Sequence, residues 1–145
     1  MPVEHVVVRG NARGFLQEVT SGKHIFRVDE PVSVGGTEAA PDPYDYLLAG
    51  LGACTSMTVG LYARRKNIPL ENVTVSLRHS RIHAKDCEDC ETKAGMLDRI
   101  DLDVALTGPL TPEQRATLIE IAGKCPVHRT LKSEIQIKVR EAKAA

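Results

Sequence analysis

Tryptophan is absent and other aromatics are scarce, two Phe and three Tyr in 145 residues. The core must therefore be aliphatic, and platforms that stack nucleic-acid bases are not expected. No excess of one charge sign exists either: 19 Lys+Arg stand against 19 Asp+Glu. This argues against a general nucleic-acid binder, which carries a basic excess, and against a polybasic membrane-surface protein. Four cysteines are too few for a disulfide scaffold at this length. Each is weighed instead as a metal ligand, a redox group or a core residue. The N-terminus has an acid at Glu4 and no long apolar run with a cleavage site. No signal peptide is read there, and a cytoplasmic protein is expected. Phosphate-binding glycine loops, nucleophile elbows and HExxH are missing as well.

What is present is a globular composition, 42% apolar and 26% charged, long enough for a single domain over residues 1–145. Residues 3–8, 15–20 and 24–28 read as short strands punctuated by Gly10, Gly14 and Ser21-Gly22. Asp42 followed by Pro43 predicts a helix start. That helix is expected to run to about Lys66, with Arg64, Arg65 and Lys66 in its last turn and Asn67 and Pro69 ending it. Residues 44–63 hold one charge, Asp45, over nearly bilayer length. Cys54, Thr55, Ser56 and Thr58 dilute the run, so a helix buried on all sides is expected rather than a membrane span.

Residues 73–83 alternate, with Val73, Val75, Leu77, His79 and His83 on one face. After a loop over 84–95, Ile100, Leu102, Val104 and Leu106 alternate as the hairpin partner. Thr111-Pro112-Glu113-Gln114 predicts a capping box, and Leu118, Ile119 and Ala122 the apolar face of the helix it opens. Ile135, Ile137 and Val139 alternate as a last strand. The order β-β-β-α-β-β-α-β is α+β. The long helix is apolar or small nearly all round, more surface than one sheet and a short second helix cover, so a homodimer that buries it is expected.

Cys54 falls mid-helix, where a cysteine ordinarily packs as a small hydrophobe. Cys125 precedes Pro126, which pushes it out of helical geometry. It either caps a short helix beginning at Pro126, a position that favours a reactive thiolate, or merely ends the preceding helix.

Around these residues the chain resembles the OsmC/Ohr family, named for osmotically inducible protein C and organic hydroperoxide resistance. The resemblance rests on Asp29-Glu30-Pro31, Gly35-Gly36-Thr37, Pro43-Tyr44-Asp45 leading into Leu47-Leu48-Ala49, Gly52-Ala53-Cys54-Thr55, and Cys125-Pro126-Val127-His128. It implies an intertwined α+β homodimer with β-sheets packed around long central helices. It also implies a two-cysteine peroxidase site, with Cys54 peroxidatic and Cys125 resolving. The substrate would be an organic hydroperoxide and the reductant a dithiol or other thiol, with no cofactor. An apolar helix raises a thiol's pKa, so a cation must reach Cys54; the family supplies an N-terminal Arg, for which Arg13, and next Arg9, are the candidates. The peroxidases carry a Glu after the helix-opening Pro; this chain has Tyr44, with Asp45 next, as in a broader OsmC-like branch. Asp45 either substitutes for that Glu or completes the helix cap. His128 either orients Cys125 or is a polar surface group, the latter being the expectation.

Cys87-Glu88-Asp89-Cys90 falls in the hairpin loop. A redox pair, a zinc site drawing on His79 or His83, and a plain polar loop compete there. Two rivals to the peroxidase follow: an OsmC-like protein that binds a small apolar ligand, and a zinc-stabilised accessory module.

Overall fold

Short β-branched runs separated by glycine turns open the chain. In the computed structural model, which describes residues 6–143, they form an antiparallel sheet in the order β1 (Val7–Arg9), β2 (Gln17–Ser21), β3 (His24–Val28). Residues 3–5 of the first expected strand lie outside the described residues. The tight β2–β3 turn places Gly22 at φ 58°, a left-handed conformation that glycine adopts without strain. Phe15 and Leu16 precede β2 rather than opening it, and both are exposed. The chain divides into two compact units, at Ala49/Gly50.

In the first unit, Asp29 organises the segment after β3. Its carboxylate accepts from Thr37 Oγ1 at 2.6 Å, and from the amides of Glu30 at 2.8 Å, Ala39 at 3.0 Å and Thr37 at 3.2 Å. Its own amide donates to Pro41 O at 3.1 Å. Gly36 fits where a Cβ would strike the Glu30 carbonyl. The loop thus delivers the chain to α1 (Pro43–Arg65). Asp42 and Asp45 cap that helix reciprocally: Asp45 N donates to Asp42 Oδ1 at 2.8 Å, and Asp42 N to Asp45 Oδ2 at 3.1 Å. Tyr46 donates its hydroxyl to Arg27 O at 2.6 Å and packs its ring 5.2 Å from that of Phe26.

In the second unit, α1 ends with Asn67 left-handed at φ 54° and the Ile68 amide bonded back to Ala63 O at 2.9 Å. β4 (Asn72–His83) and β5 (Met96–Thr107) then pair antiparallel, from Asn72 opposite Thr107 to His83 opposite Met96. β5 begins four residues earlier than its clean alternation suggested, because the ladder carries Met96–Arg99 opposite Ser80–His83. The predicted capping box opens α2 (Pro112–Ala122), with Thr111 and Gln114 exchanging bonds of 3.0 and 3.1 Å. A short α3 (Pro126–Lys132) follows. Val59 and Ala63 of α1 and Leu118 and Ala122 of α2 form the core, flanked by Val73, Val104 and Leu106.

The surface of α1 exceeds what one chain covers, as expected, and two other expectations are corrected. α1 is long and apolar enough to cross a membrane by length and composition. Within the chain, however, only the stripe Leu51, Thr55, Val59 and Ala63 and its neighbour Gly52 are buried. Leu47, Met57 and Leu61 stay exposed, because one hairpin and two short helices cover one side of a 23-residue rod. Ile119 is exposed, not part of the α2 contact. Residues 135–139 form no strand among the described residues: Ile137 is 79% and Val139 94% exposed. Alternation specifies two faces, but a strand exists only against a ladder partner.

Candidate active site

Two segments of the second unit bring the isolated cysteines together. Cys54, half-buried, rides on α1 directly before Thr55, which is fully buried. Gly52 allows β4 to approach this turn of the helix; a Cβ there would lie 2.7 Å from Leu77 Cδ1. Gly50 meets nothing comparable.

Cys125 enters from the other direction. Pro126 holds it extended, at φ −70° and ψ 153°, so that it caps α3. Its sulfur accepts from His128 N at 3.2 Å, which decides between the two readings of this residue. Fully buried, the same sulfur lies 3.7 Å from Thr55 Oγ1, and Thr55 also donates to Leu51 O at 2.9 Å.

Burial pushes the Cys125 thiol up, but hydrogen bonds from the His128 amide, the Thr55 hydroxyl, the Cys54 thiol and the Val127 amide outweigh it. The net effect holds Cys125 below the ordinary thiol value. A thiol held below its ordinary pKa and hydrogen-bonded to a second thiol is chemically suited to forming a disulfide with it.

The other expected residues divide. Arg13 is exposed in the turn between β1 and β2, in the first unit, its amide bonded to Asn11 Oδ1 at 2.8 Å. Arg9 ends β1 opposite Glu18. Asp45 completes the helix cap, as above. His128 engages Cys125 through its backbone amide, half-buried rather than fully solvated. Thr55 was not singled out by its sequence; its spacing of four from Leu51 and Val59 marks a buried polar residue within an apolar stripe, a signal visible in retrospect.

Cys87 and Cys90 form a disulfide with Cα atoms 5.4 Å apart. Among the described residues, the group able to gather round a metal is Cys87, Asp89 and Cys90, without either histidine. His79 instead pairs with Asp98 at 2.9 Å. The mixed His–Cys zinc set is therefore not assembled.

Residues 35–140 match the family model described as OsmC-like protein. No curated protein matches the sequence significantly. The fold is shared with solved structures at low identity. An OsmC-like protein from Mycoplasma pneumoniae aligns with a TM-score of 0.68 at 22% identity, over 91% of this chain and 89% of that one. An organic hydroperoxide resistance protein from Elizabethkingia anophelis, with thiocyanate bound, aligns at 0.65 and 22%, over 94% and 92%. The organic hydroperoxide resistance protein OhrB of Bacillus subtilis aligns at 0.60 and 22%, over 92% and 93%.

Proposed function

The chain belongs to the OsmC-like family, and from that premise we propose that it is a cytoplasmic, thiol-dependent peroxidase acting on organic hydroperoxides. The observation that carries this reading is the convergence of the Cys54 thiol and the Thr55 hydroxyl on the Cys125 sulfur. The names of the relatives from Elizabethkingia anophelis and Bacillus subtilis support the substrate class.

In the proposed cycle the Cys54 thiolate attacks the outer peroxide oxygen. The O–O bond breaks, the alkoxide takes a proton and leaves as an alcohol, and Cys54 becomes a sulfenic acid. The Cys125 thiolate then attacks that sulfur; hydroxide leaves with a proton as water, and the disulfide forms. A dithiol returns two electrons by exchange. Arg13 is proposed as the cation that keeps Cys54 ionised. A homodimer is part of the reading, supported by the exposed Leu47, Met57 and Leu61 and by the alternating segment 135–139, which pairs with no strand among the described residues.

The test is consumption of cumene hydroperoxide with dithiothreitol, followed by peptide mapping after one equivalent of peroxide without reductant. A Cys54–Cys125 linkage, and loss of turnover in Cys54→Ser, are expected. Unchanged turnover in Cys54→Ser would overturn the reading. A second reading, a small-ligand carrier, draws on the groove of about 470 Å³ lined by Met57, Ile68 and Leu70 on one hand and by Arg64, Glu71 and Asn72 on the other. It predicts ligand affinity indifferent to that substitution.

A further inference from the structure

The Cys87–Cys90 disulfide has no place in the cycle above, and its position explains why. Leu77 of β4 packs at Gly52, two residues from Cys54. From Leu77 the strand runs on to His83, about 20 Å at ~3.3 Å per residue, before the loop begins. A disulfide requires Cα atoms within roughly 7 Å. Within one chain, Cys87 and Cys90 are therefore out of reach of Cys54.

Nor is the bond a staple. The hairpin is already closed beneath it, by the His83–Met96 pair and by Ala84 N donating to Gly95 O at 2.8 Å. The cross-link ties two positions of the same loop and joins no two elements. Both cysteines are half-buried, with exposed neighbours on each side.

The loop also carries a charge bias. Asp86, Glu88, Asp89 and Glu91 surround the pair, against Lys85 and Lys93. Lys93 Nζ is engaged with the carbonyls of Cys87 and Glu88, both at 3.2 Å. The Asp89 carboxylate lies 3.4 Å from Cys87 Sγ.

We propose that the Cys87–Cys90 disulfide is a thiol–disulfide exchange site in its own right, accepting neutral or cationic small thiols and discriminating against anionic ones. An incoming thiolate bonds to Cys87 Sγ, the Cys87–Cys90 bond breaks, and Cys90 leaves as a thiolate that takes up a proton. A second thiolate attacks the sulfur of the first. It releases Cys87 and an external disulfide, so two electrons pass from two external thiols to the loop. In exchange, charge collects on the attacking and departing sulfurs and least on the central one. The Asp89 carboxylate lies 3.4 Å from Cys87 Sγ and within 4.8 Å of Cys90 Sγ, so the nearer sulfur, Cys87, is favoured as the central atom and Cys90 as the leaving group. The acidic rim raises the local concentration of a cationic thiol and lowers that of an anionic one. The inference is independent of the peroxidase reading.

The experiment uses the full wild-type chain. It is reduced with cysteamine, 2-mercaptoethanol or 2-mercaptoethanesulfonate at matched thiolate concentrations and quenched with N-ethylmaleimide. The peptide containing Cys87 and Cys90 is then quantified by mass spectrometry. Hydroxyethyl disulfide, treated in parallel, sets the intrinsic rate of each thiol. Relative to that standard, cysteamine should outpace the sulfonate about fivefold or more at low salt, the ratio falling toward one at 1 M salt. In Cys90→Ser, where Cys87 is a free thiol, the Cys87 thiolate should attack cystamine, the disulfide of cysteamine, release one cysteamine thiolate and retain the other as a mixed disulfide. Equal normalised rates at low salt would overturn the proposal, as would a pair that stays unreduced. A protein that holds zinc on these thiols, with no disulfide formed after oxidation, would overturn it too.

Discussion

Thr55 Oγ1 lies 3.7 Å from Cys125 Sγ, bridging 70 residues of sequence, while the same hydroxyl donates to Leu51 O at 2.9 Å. A hydroxyl has one proton. Given to Leu51, it leaves a lone pair facing the thiol; turned toward sulfur, it stabilises the thiolate. Thr55 is thus a positioning residue that responds to the ionisation of Cys125. Replacing it with Val keeps the shape and removes the donor. Thr55→Val should raise the Cys125 pKa, by up to about one unit for a hydrogen bond of ~1 kcal/mol. The pH dependence of Cys125 alkylation measures this directly; an unmoved profile would show that the hydroxyl does not serve the sulfur.

Removing the resolving thiol separates the two halves of the proposed cycle. In Cys125→Ser, one equivalent of cumene hydroperoxide should leave Cys54 one oxygen atom heavier and trappable by dimedone, with no disulfide formed at Cys54. Alcohol should still be released at near the wild-type rate in a single turnover. If Cys54 stays unmodified while peroxide is consumed, another group performs the attack.

Local chemistry made much of the fold readable beforehand. The Asp42-Pro43 start of α1, the Thr111 capping box and the Ser21-Gly22 turn all stand where their residue types place them, because each is satisfied within a few residues. Cys125 was half readable: Pro126 fixes its backbone, but whether it caps a helix depends on the His128 amide reaching its sulfur. Thr55 escaped notice because its partner is distant in sequence. The segment 135–139 misled, and the outer face of α1 pointed beyond the single chain, for a shared reason. Each pattern encodes burial, and burial needs a surface that the described residues of one chain do not provide.

Asp29 makes the loop before α1 sensitive to acid. Its pKa is lowered to about 2, first by the Thr37 hydroxyl and then by the amides of Ala39, Glu30 and Thr37. A depressed carboxyl contributes stability that is complete above its unfolded value, near 4, and is lost as pH falls toward 2. Asp29→Asn should lower the thermal midpoint at pH 7, and its deficit should shrink between about pH 4 and pH 2 as the wild type loses the same contribution. A deficit constant across that range would mean the side chain acts by shape rather than charge.

Met57 is 72% exposed on the face of α1 opposite the buried Leu51, Thr55 and Val59 stripe. Leu47 and Leu61 share its exposure, so this is where a second copy has most to gain. Full burial of one such side chain is worth about 1.5–3 kcal/mol, and a dimer buries it twice by symmetry. Met57→Lys places a charge in that contact and should weaken association by about 100-fold or more, since each 1.4 kcal/mol is a factor of ten. The α1 backbone should tolerate the change, because Lys is a good helix former. Sedimentation velocity across a dilution series reads the outcome. A wild-type species near twice 15.8 kDa and a Met57→Lys species at 15.8 kDa, with unchanged circular dichroism, are expected. A monomeric wild type at every concentration would remove the second copy from the account and leave this apolar face as surface.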